Sequence, residues 1–386
     1  MRVAVTGLGV LSSVGRGVAA HTAALREGKS ALGPMTLFES PGIEARPAGQ
    51  IPDAQFSDAK TGGRTQRLAH AAAVDALGSF KPSAAGVIAI GTTTGGIYET
   101  ESHYAKHRGQ AGAEDRALLR NHALGTVADR LCGELSLPGE RHTFATACSS
   151  SANAIGYAAQ RIMTGAPWAL AGGVDSLCRT TWCGFFSLKL LSPFACRPFD
   201  KGRQGLSLGE ASAFLLLESE AAAKARGAQI LGYVTGWGLA ADAHHMTAPH
   251  PEGLGAARAM QIALRDAGLE PAQIDYVNAH GTATPANDKA ESLALKTVFG
   301  ERKVPVSSTK GITGHTLGAA GAIEAVFSLI AIRESFLPAN VGVEEQDPEC
   351  PVQLVTGGSQ QGRVGRVISN SFGFGGNNTA LVLEGA

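Results

Sequence analysis

The chain has 386 residues, enough to bury a large core, and its 33 Lys plus Arg balance its 33 Asp plus Glu. No global basic field points to nucleic acid, so any charged docking site must be local. Fifty glycines without a period exclude collagen, and six cysteines (Cys132, Cys148, Cys178, Cys183, Cys196, Cys350) without C-x-x-C pairs read as thiols in a reducing compartment. No 18-residue apolar run and no leader pattern occurs, so a soluble cytoplasmic protein is expected.

In chain order the pattern alternates short apolar runs with Ala-rich helical stretches. It predicts a strand at Val3–Thr6, helices at Gly17–Glu27 and Arg67–Leu77, and a strand at Gly86–Ile90. Strands follow at Arg141–Ala145 and Trp168–Gly172, with a helix over Cys148–Met163 between them, and a buried strand at Ala211–Glu218. A second cycle starts with a strand at Gln229–Trp237, a helix at Gly253–Ala267, a strand at Ile274–Ala279, and helices at Ala286–Phe299 and Ala319–Arg333. Strands at Val364–Ser369 and Thr379–Leu383 close it. The residues alone give an α/β protein with a duplicated pattern.

Four segments carry chemistry. Thr143-Phe-Ala-Thr-Ala-Cys148-Ser-Ser-Ser151 reads as a strand turning sharply into a helix with a thiol at the turn, where helix dipoles would lower its pKa. Asn278-Ala-His280-Gly-Thr282-Ala-Thr284-Pro places a histidine at a strand end facing a cleft. Lys310-Gly-Ile-Thr-Gly-His315 leads through glycines into a small-residue helix that carries Glu324. Ser371-Phe372-Gly-Phe374-Gly-Gly is a glycine loop with two aromatics, able to supply an N–H and to gate a pocket.

In this order the four motifs resemble the β-ketoacyl-acyl carrier protein synthases, the elongating condensing enzymes with a Cys-His-His site, over essentially the whole chain. The resemblance implies a thiolase-like, duplicated five-layer α-β-α-β-α fold, with residues 1–225 as the half carrying the cysteine and residues 226–386 as the half carrying both histidines and the gate loop. It implies a dimer, homodimeric or paired with a ketosynthase-like chain. It implies that Cys148 takes an acyl group from acyl carrier protein, that His280 and His315 bind the thioester carbonyl of malonyl carrier protein during decarboxylation, and that Lys310 pairs with Glu324 to set the protonation and orientation of His315. Cys148 and Phe374 N–H groups would form the oxyanion hole, and Phe374 with Phe372 the gate. Thr282 and Thr284 would hold the phosphopantetheine arm, which the carrier protein delivers; no bound cofactor and no metal are implied. Thr94 falls where the family shapes the floor of the acyl pocket, and Lys189, Arg64 and Arg67 where it docks the acidic carrier protein.

The chain departs from the family at Gln204, usually acidic, Leu206, usually aromatic, and Asn377, usually threonine, and Thr94 is polar at the pocket floor. These changes point to a specialised chain, a polyene or polyketide. A degradative thiolase would need a second catalytic cysteine, and Cys350 lacks its glycine context. A non-catalytic chain-length partner is the alternative, against which Cys148 speaks. His103 and His107 share a helix face without a third metal ligand in register. His244 and His245 read as structural.

Overall fold

Strand order repeats itself. The computed structural model describes residues 1–59, 62–107 and 116–386. In the first half the main elements are β1 (Val3–Ser12), α1 (Arg64–Leu77), β2 (Gly86–Gly91), α2 (Thr126–Leu135), β3 (Gly139–Phe144), α3 (Ser150–Met163), β4 (Ala169–Asp175) and β5 (Ala211–Ser219). The second half has β6 (Gly232–Ala241), α4 (Leu254–Ala267), β7 (Tyr276–Asn278), α5 (Pro285–Phe299), β8 (Pro305–Ser307), α6 (Ala320–Glu334), β9 (Arg366–Gly373) and β10 (Asn377–Glu384).

The strands run β3-β2-β4-β5-β1 in one half and β8-β7-β9-β10-β6 in the other. Both have the same senses: two parallel pairs at the outer edge, then two antiparallel pairs. A short antiparallel join, Val3↔Val234 to Val5↔Gly232, makes the two continuous. Three apolar cores separate the layers. α1 and α2 cover the first half-sheet, α4 and α5 the second, and α3 with α6 fill the space between. This is the five-layer α-β-α-β-α stack.

The composition explains the spacing. α6 is buried at every position from Ala320 to Ile332, as a helix apolar on all faces must be. A Cβ on Gly321 would lie 2.6 Å from Ala152 Cβ, so α3 and α6 meet almost backbone to backbone. Gly9 similarly lets β1 approach the carbonyl of Ala72 on α1.

The predicted elements are present with shifted ends. β6 starts at Gly232, three residues late, and runs to Ala241 because β10 pairs with it as far as Asn377↔Ala241. α3 begins at Ser150, since Ala147–Ser149 form a separate tight turn. Helices at Ile97–His107, Thr126–Leu135 and Arg179–Ser187 lie outside the elements the sequence pattern predicts, because their apolar faces are short and mixed with polar residues. Among the described residues no helix is long and apolar enough to cross a membrane.

Candidate active site

Cys148 lies where β3 turns into α3. Ala147 adopts φ 52, a left-handed conformation that costs a non-glycine residue about 1–3 kcal/mol and is kept where the surroundings over-determine it. Those surroundings are visible: Ser150 Oγ accepts from Thr146 N at 2.9 Å and donates to Ala147 O at 2.6 Å, and Ser149 Oγ donates to Thr146 O at 2.8 Å. Similar positive φ values occur at Ala283 (68), beside Thr282 and Thr284, and at Leu317 (52), just after His315.

The thiol is 7% exposed, and burial pushes it up to about 12, against smaller opposing effects of the Lys310 charge and the Phe374 backbone N–H. The expected lowering by the helix start is therefore corrected. Desolvation of the thiolate outweighs the dipole, and the resting group is a thiol. His315 Nε2 is 2.9 Å from Cys148 Sγ. Burial, then the charge of Lys310, holds the His315 imidazole well below its usual range, so it is neutral and accepts the thiol proton's hydrogen bond.

His280 stands edge-on to His315, ring centroids 5.3 Å apart at 88°. It too is held well below its usual range, by burial first and then by Lys310 and His315. Lys310 pairs with Glu324, both about 99% buried, and its Nζ lies 3.4 Å from His280 Nδ1. An ammonium can only donate, so the His280 proton sits on Nε2. Proximity in the chain suggests His315, five residues on, as the histidine this lysine serves; the side chain reaches His280 instead, 30 residues upstream, because β7 and β8 are adjacent parallel strands. Burial pushes Glu324 up to about 7 against the pull of Lys310.

Two carboxylates that the motifs did not reveal shape this corner. Glu291 accepts the His280 and Gly281 backbone N–H groups at 2.9 and 2.7 Å, and burial pushes it to about 7. Asp288 accepts Ala283 N at 3.1 Å and Phe199 N at 2.8 Å. Both project from the inner face of α5, three residues apart; two acids at that spacing among Ala290, Ala294 and Leu295 were the available signal.

A cavity of about 340 Å³ opens onto the trio, walled by Phe185, Leu190, Leu206, Thr282, Thr284, Phe372 and Phe374 among others. Thr282 and Thr284 hydroxyls bond each other at 3.0 Å on its rim. Phe374 stacks on Phe185 at 5.4 Å, and Asn377 donates to the Phe374 carbonyl at 3.0 Å, tying the glycine loop. Phe372 does not sit on that loop. It is a β9 residue, 7% exposed, packed against His280 at 5.8 Å, so it forms wall rather than gate. His245 Nδ1 accepts from Thr247 N and Ala248 N, shaping the opposite lip.

Lys189 is exposed and follows Leu188, which lines the mouth. Arg64 is not available for docking: it is 5% exposed and bound to Glu210 and Asp53, so its charge is already answered inside the protein. Arg67 is half-buried, its Nε on Ala59 O at 2.7 Å and its guanidinium over Phe56. Thr94 does not present its hydroxyl to a pocket, since it is buried and donates to Asp175 at 2.8 Å.

The arrangement suits acyl transfer. Cys148, His280 and His315 place three ligating atoms within 4.8 Å of one another, but the Lys310 charge and the Nε2–H of His280 work against a cation there.

Comparison with known proteins places the chain in a family. A model of the beta-ketoacyl synthase N-terminal domain matches residues 1–223, and one of the beta-ketoacyl synthase C-terminal domain matches residues 231–344. The chain is 37% identical to a 3-oxoacyl-[acyl-carrier-protein] synthase 2 of Synechocystis sp., covering 99% of this chain and 98% of the relative. It is 36% identical to a protein of the same name from Coxiella burnetii, with the same coverage. Its structure is similar to the ishigamide ketosynthase/chain length factor, with TM-score 0.95 and 37% identity over 100% of this chain and 99% of that one. It is also similar to a ketosynthase in complex with its chain length factor from Xenorhabdus doucetiae, with TM-score 0.87 and 35% identity over 100% and 98% of the chains.

Proposed function

Since this chain belongs to the β-ketoacyl synthase family and is a condensing acyltransferase, we propose that it extends a fatty acyl, polyene or polyketide chain by two carbons, working in two half-reactions at Cys148. The 2.9 Å contact between His315 Nε2 and Cys148 Sγ carries this reading. His315 takes the thiol proton as Sγ attacks the acyl thioester, and the proton passes to the departing phosphopantetheine sulfur. The Cys148 and Phe374 N–H groups receive the developing oxyanion, each worth about 3 kcal/mol. Malonyl carrier protein then enters. Its thioester carbonyl accepts from His280 Nε2–H and from His315 once that ring carries its proton on Nε2. The bond to the carboxylate breaks, CO2 leaves, and the enolate attacks the acyl carbonyl, releasing the Cys148 sulfur as a thiolate that takes up a proton from solvent to restore the resting thiol.

Lys310 and Glu324 fix the tautomer of His280, and Thr282 and Thr284 contact the pantetheine amides. The arm arrives with the carrier protein, and Lys189 supplies local positive charge for docking. Residues 1–225 and 226–386 form the two halves of one body. The active unit is a dimer, either of this chain or with a chain-length partner of the kind seen in its structural neighbours, and six free cysteines suit a cytoplasmic setting.

Competition among saturated and unsaturated acyl carrier proteins, with malonyl carrier protein as extender, tests the specialised reading. Preference for unsaturated chains supports it; a plain preference for saturated C6 to C14 chains removes it. Absence of any two-carbon extension, with or without a partner chain, would sink the condensing role itself.

A further inference from the structure

Asp175 ends β4, has no exposed surface, and forms no ion pair among the described residues. Its carboxylate is met by hydrogen-bond donors alone. Oδ1 accepts from Thr92 Oγ1, Thr93 N, Thr94 N and Thr94 Oγ1, each at 2.8 Å. Oδ2 accepts from Thr93 Oγ1 at 2.5 Å and from Gly318 N at 2.6 Å. Six donors more than occupy the roughly four lone-pair sites of an ionised carboxylate, and three of them are backbone N–H groups that cannot reverse roles. Burial raises the Asp175 carboxyl above its usual range, and the hydrogen bonds from Thr92, Thr93 and Thr94 pull the other way. A buried charge is kept only where it is fully hydrogen-bonded, and a shell made of donors alone is built for the anion.

The donors come from two places. Thr92–Thr94 continue β2, whose last residue pairs with Phe144, four residues before Cys148; Thr92 N also bonds Phe144 O at 3.1 Å. Gly318 belongs to the turn after His315. That histidine is anchored on its other side by its N–H on Ser207 O at 2.7 Å and by its carbonyl on Gly209 N at 2.9 Å. We propose that Asp175 is a positioning residue for the Cys148–His315 pair, pinning the loop beside the cysteine to the turn that carries the base. Gly318 has no room to move inward, because a Cβ there would sit 2.7 Å from Oδ2 and 3.1 Å from Thr93 N. The negative charge also acts on Cys148, helping to keep its thiol protonated at rest.

Two variants separate position from charge. Asp175→Asn keeps the shape but replaces an acceptor with an N–H among donors and removes the charge. Thr93→Val with Thr94→Val loosens the clamp and keeps the charge. Both are expected to acylate Cys148 at least tenfold more slowly with the KM for acyl carrier protein unchanged. Only Asp175→Asn is expected to react severalfold faster than wild type with iodoacetamide at Cys148 at pH 8, read by mass of the alkylated peptide. A folded Asp175→Asn that acylates at the wild-type rate overturns the proposal, and so does equally accelerated alkylation in both variants, which reports mere exposure. If Asp175→Asn fails to fold, Gly318→Ala decides by steric displacement: slowed acylation supports the clamp and wild-type acylation overturns it. The acylation readout rests on the acyl-transfer reading above. A wild-type protein that takes no acyl group fails that reading, while alkylation still reports on Asp175.

Discussion

Replacing Lys310 by Met keeps the volume of the side chain and removes the ammonium between His280 and Glu324. Both partners of the pair are about 99% buried, so the loss strands a carboxylate in the core, and breaking such a pair from one side costs about 3–5 kcal/mol. The cost depends on pH, and the direction follows from Glu324. Its folded value is already raised to about 7 from 4.5, and Lys310 is what holds it down, so the variant raises it further. A carboxyl raised on folding stabilises the fold fully below about 4.5 and loses that contribution as pH climbs through the folded value. The deficit of Lys310→Met is therefore smallest near pH 5 and grows towards pH 8. His280, held low by Lys310, shifts the same way, since its protonation on the acid side becomes easier. Urea unfolding of wild type and variant at pH 5.5 and 8 measures this. A deficit under about 1 kcal/mol, or one equal at both pH values, refutes the argument. In catalysis the variant frees the His280 tautomer, and malonyl decarboxylation should fall about 10²-fold or more.

Three further expectations follow from the same geometry. Alkylation of Cys148 should rise about tenfold per pH unit from pH 7 to 9 without a plateau, because its thiol is pushed up to about 12; a plateau near pH 8 contradicts a resting thiol. Phe374→Ala removes a stacked pair worth about 1 kcal/mol and opens the wall of the cavity, so discrimination between short and long acyl chains should weaken while the fold persists; unchanged selectivity argues against a gate. Lys189→Glu should raise the KM for carrier protein at low salt and flatten its salt dependence, with kcat held; identical kinetics at 50 and 300 mM salt remove the docking role.

What the sequence reveals and what it hides divide along physical lines. Cys148, His280 and His315 stand in glycine- and small-residue contexts that are local in the chain, and strand-turn-helix patterns of that kind are readable in order. The repeated βα cycle likewise foreshadows the repeated strand order. Long-range contacts are not readable in this way. Arg64 looks like a surface cation at the start of a helix until Glu210, 146 residues later, comes to lie against it. Lys310 is nearest His315 in sequence but touches His280, because the order of strands in the sheet, not distance along the chain, decides neighbours. Asp175 and Glu291 escape notice because many of their partners are backbone N–H groups, which every residue supplies and no motif records, and the rest, the hydroxyls of Thr92–Thr94 and the Asn370 amide, lie about 80 residues away in the chain. The sign of the Cys148 shift is hidden for a related reason. A helix start is legible, whereas the burial that outweighs it depends on the walls from β9 and α6.

The most direct test of the account is the intact mass of the purified protein, first with acyl carrier protein alone and then after malonyl carrier protein is added. The account predicts an acyl adduct that maps to Cys148, persists until the malonyl substrate arrives, and then disappears as a product two carbons longer forms on the carrier. An adduct on another residue, or extension without passage through Cys148, would contradict it.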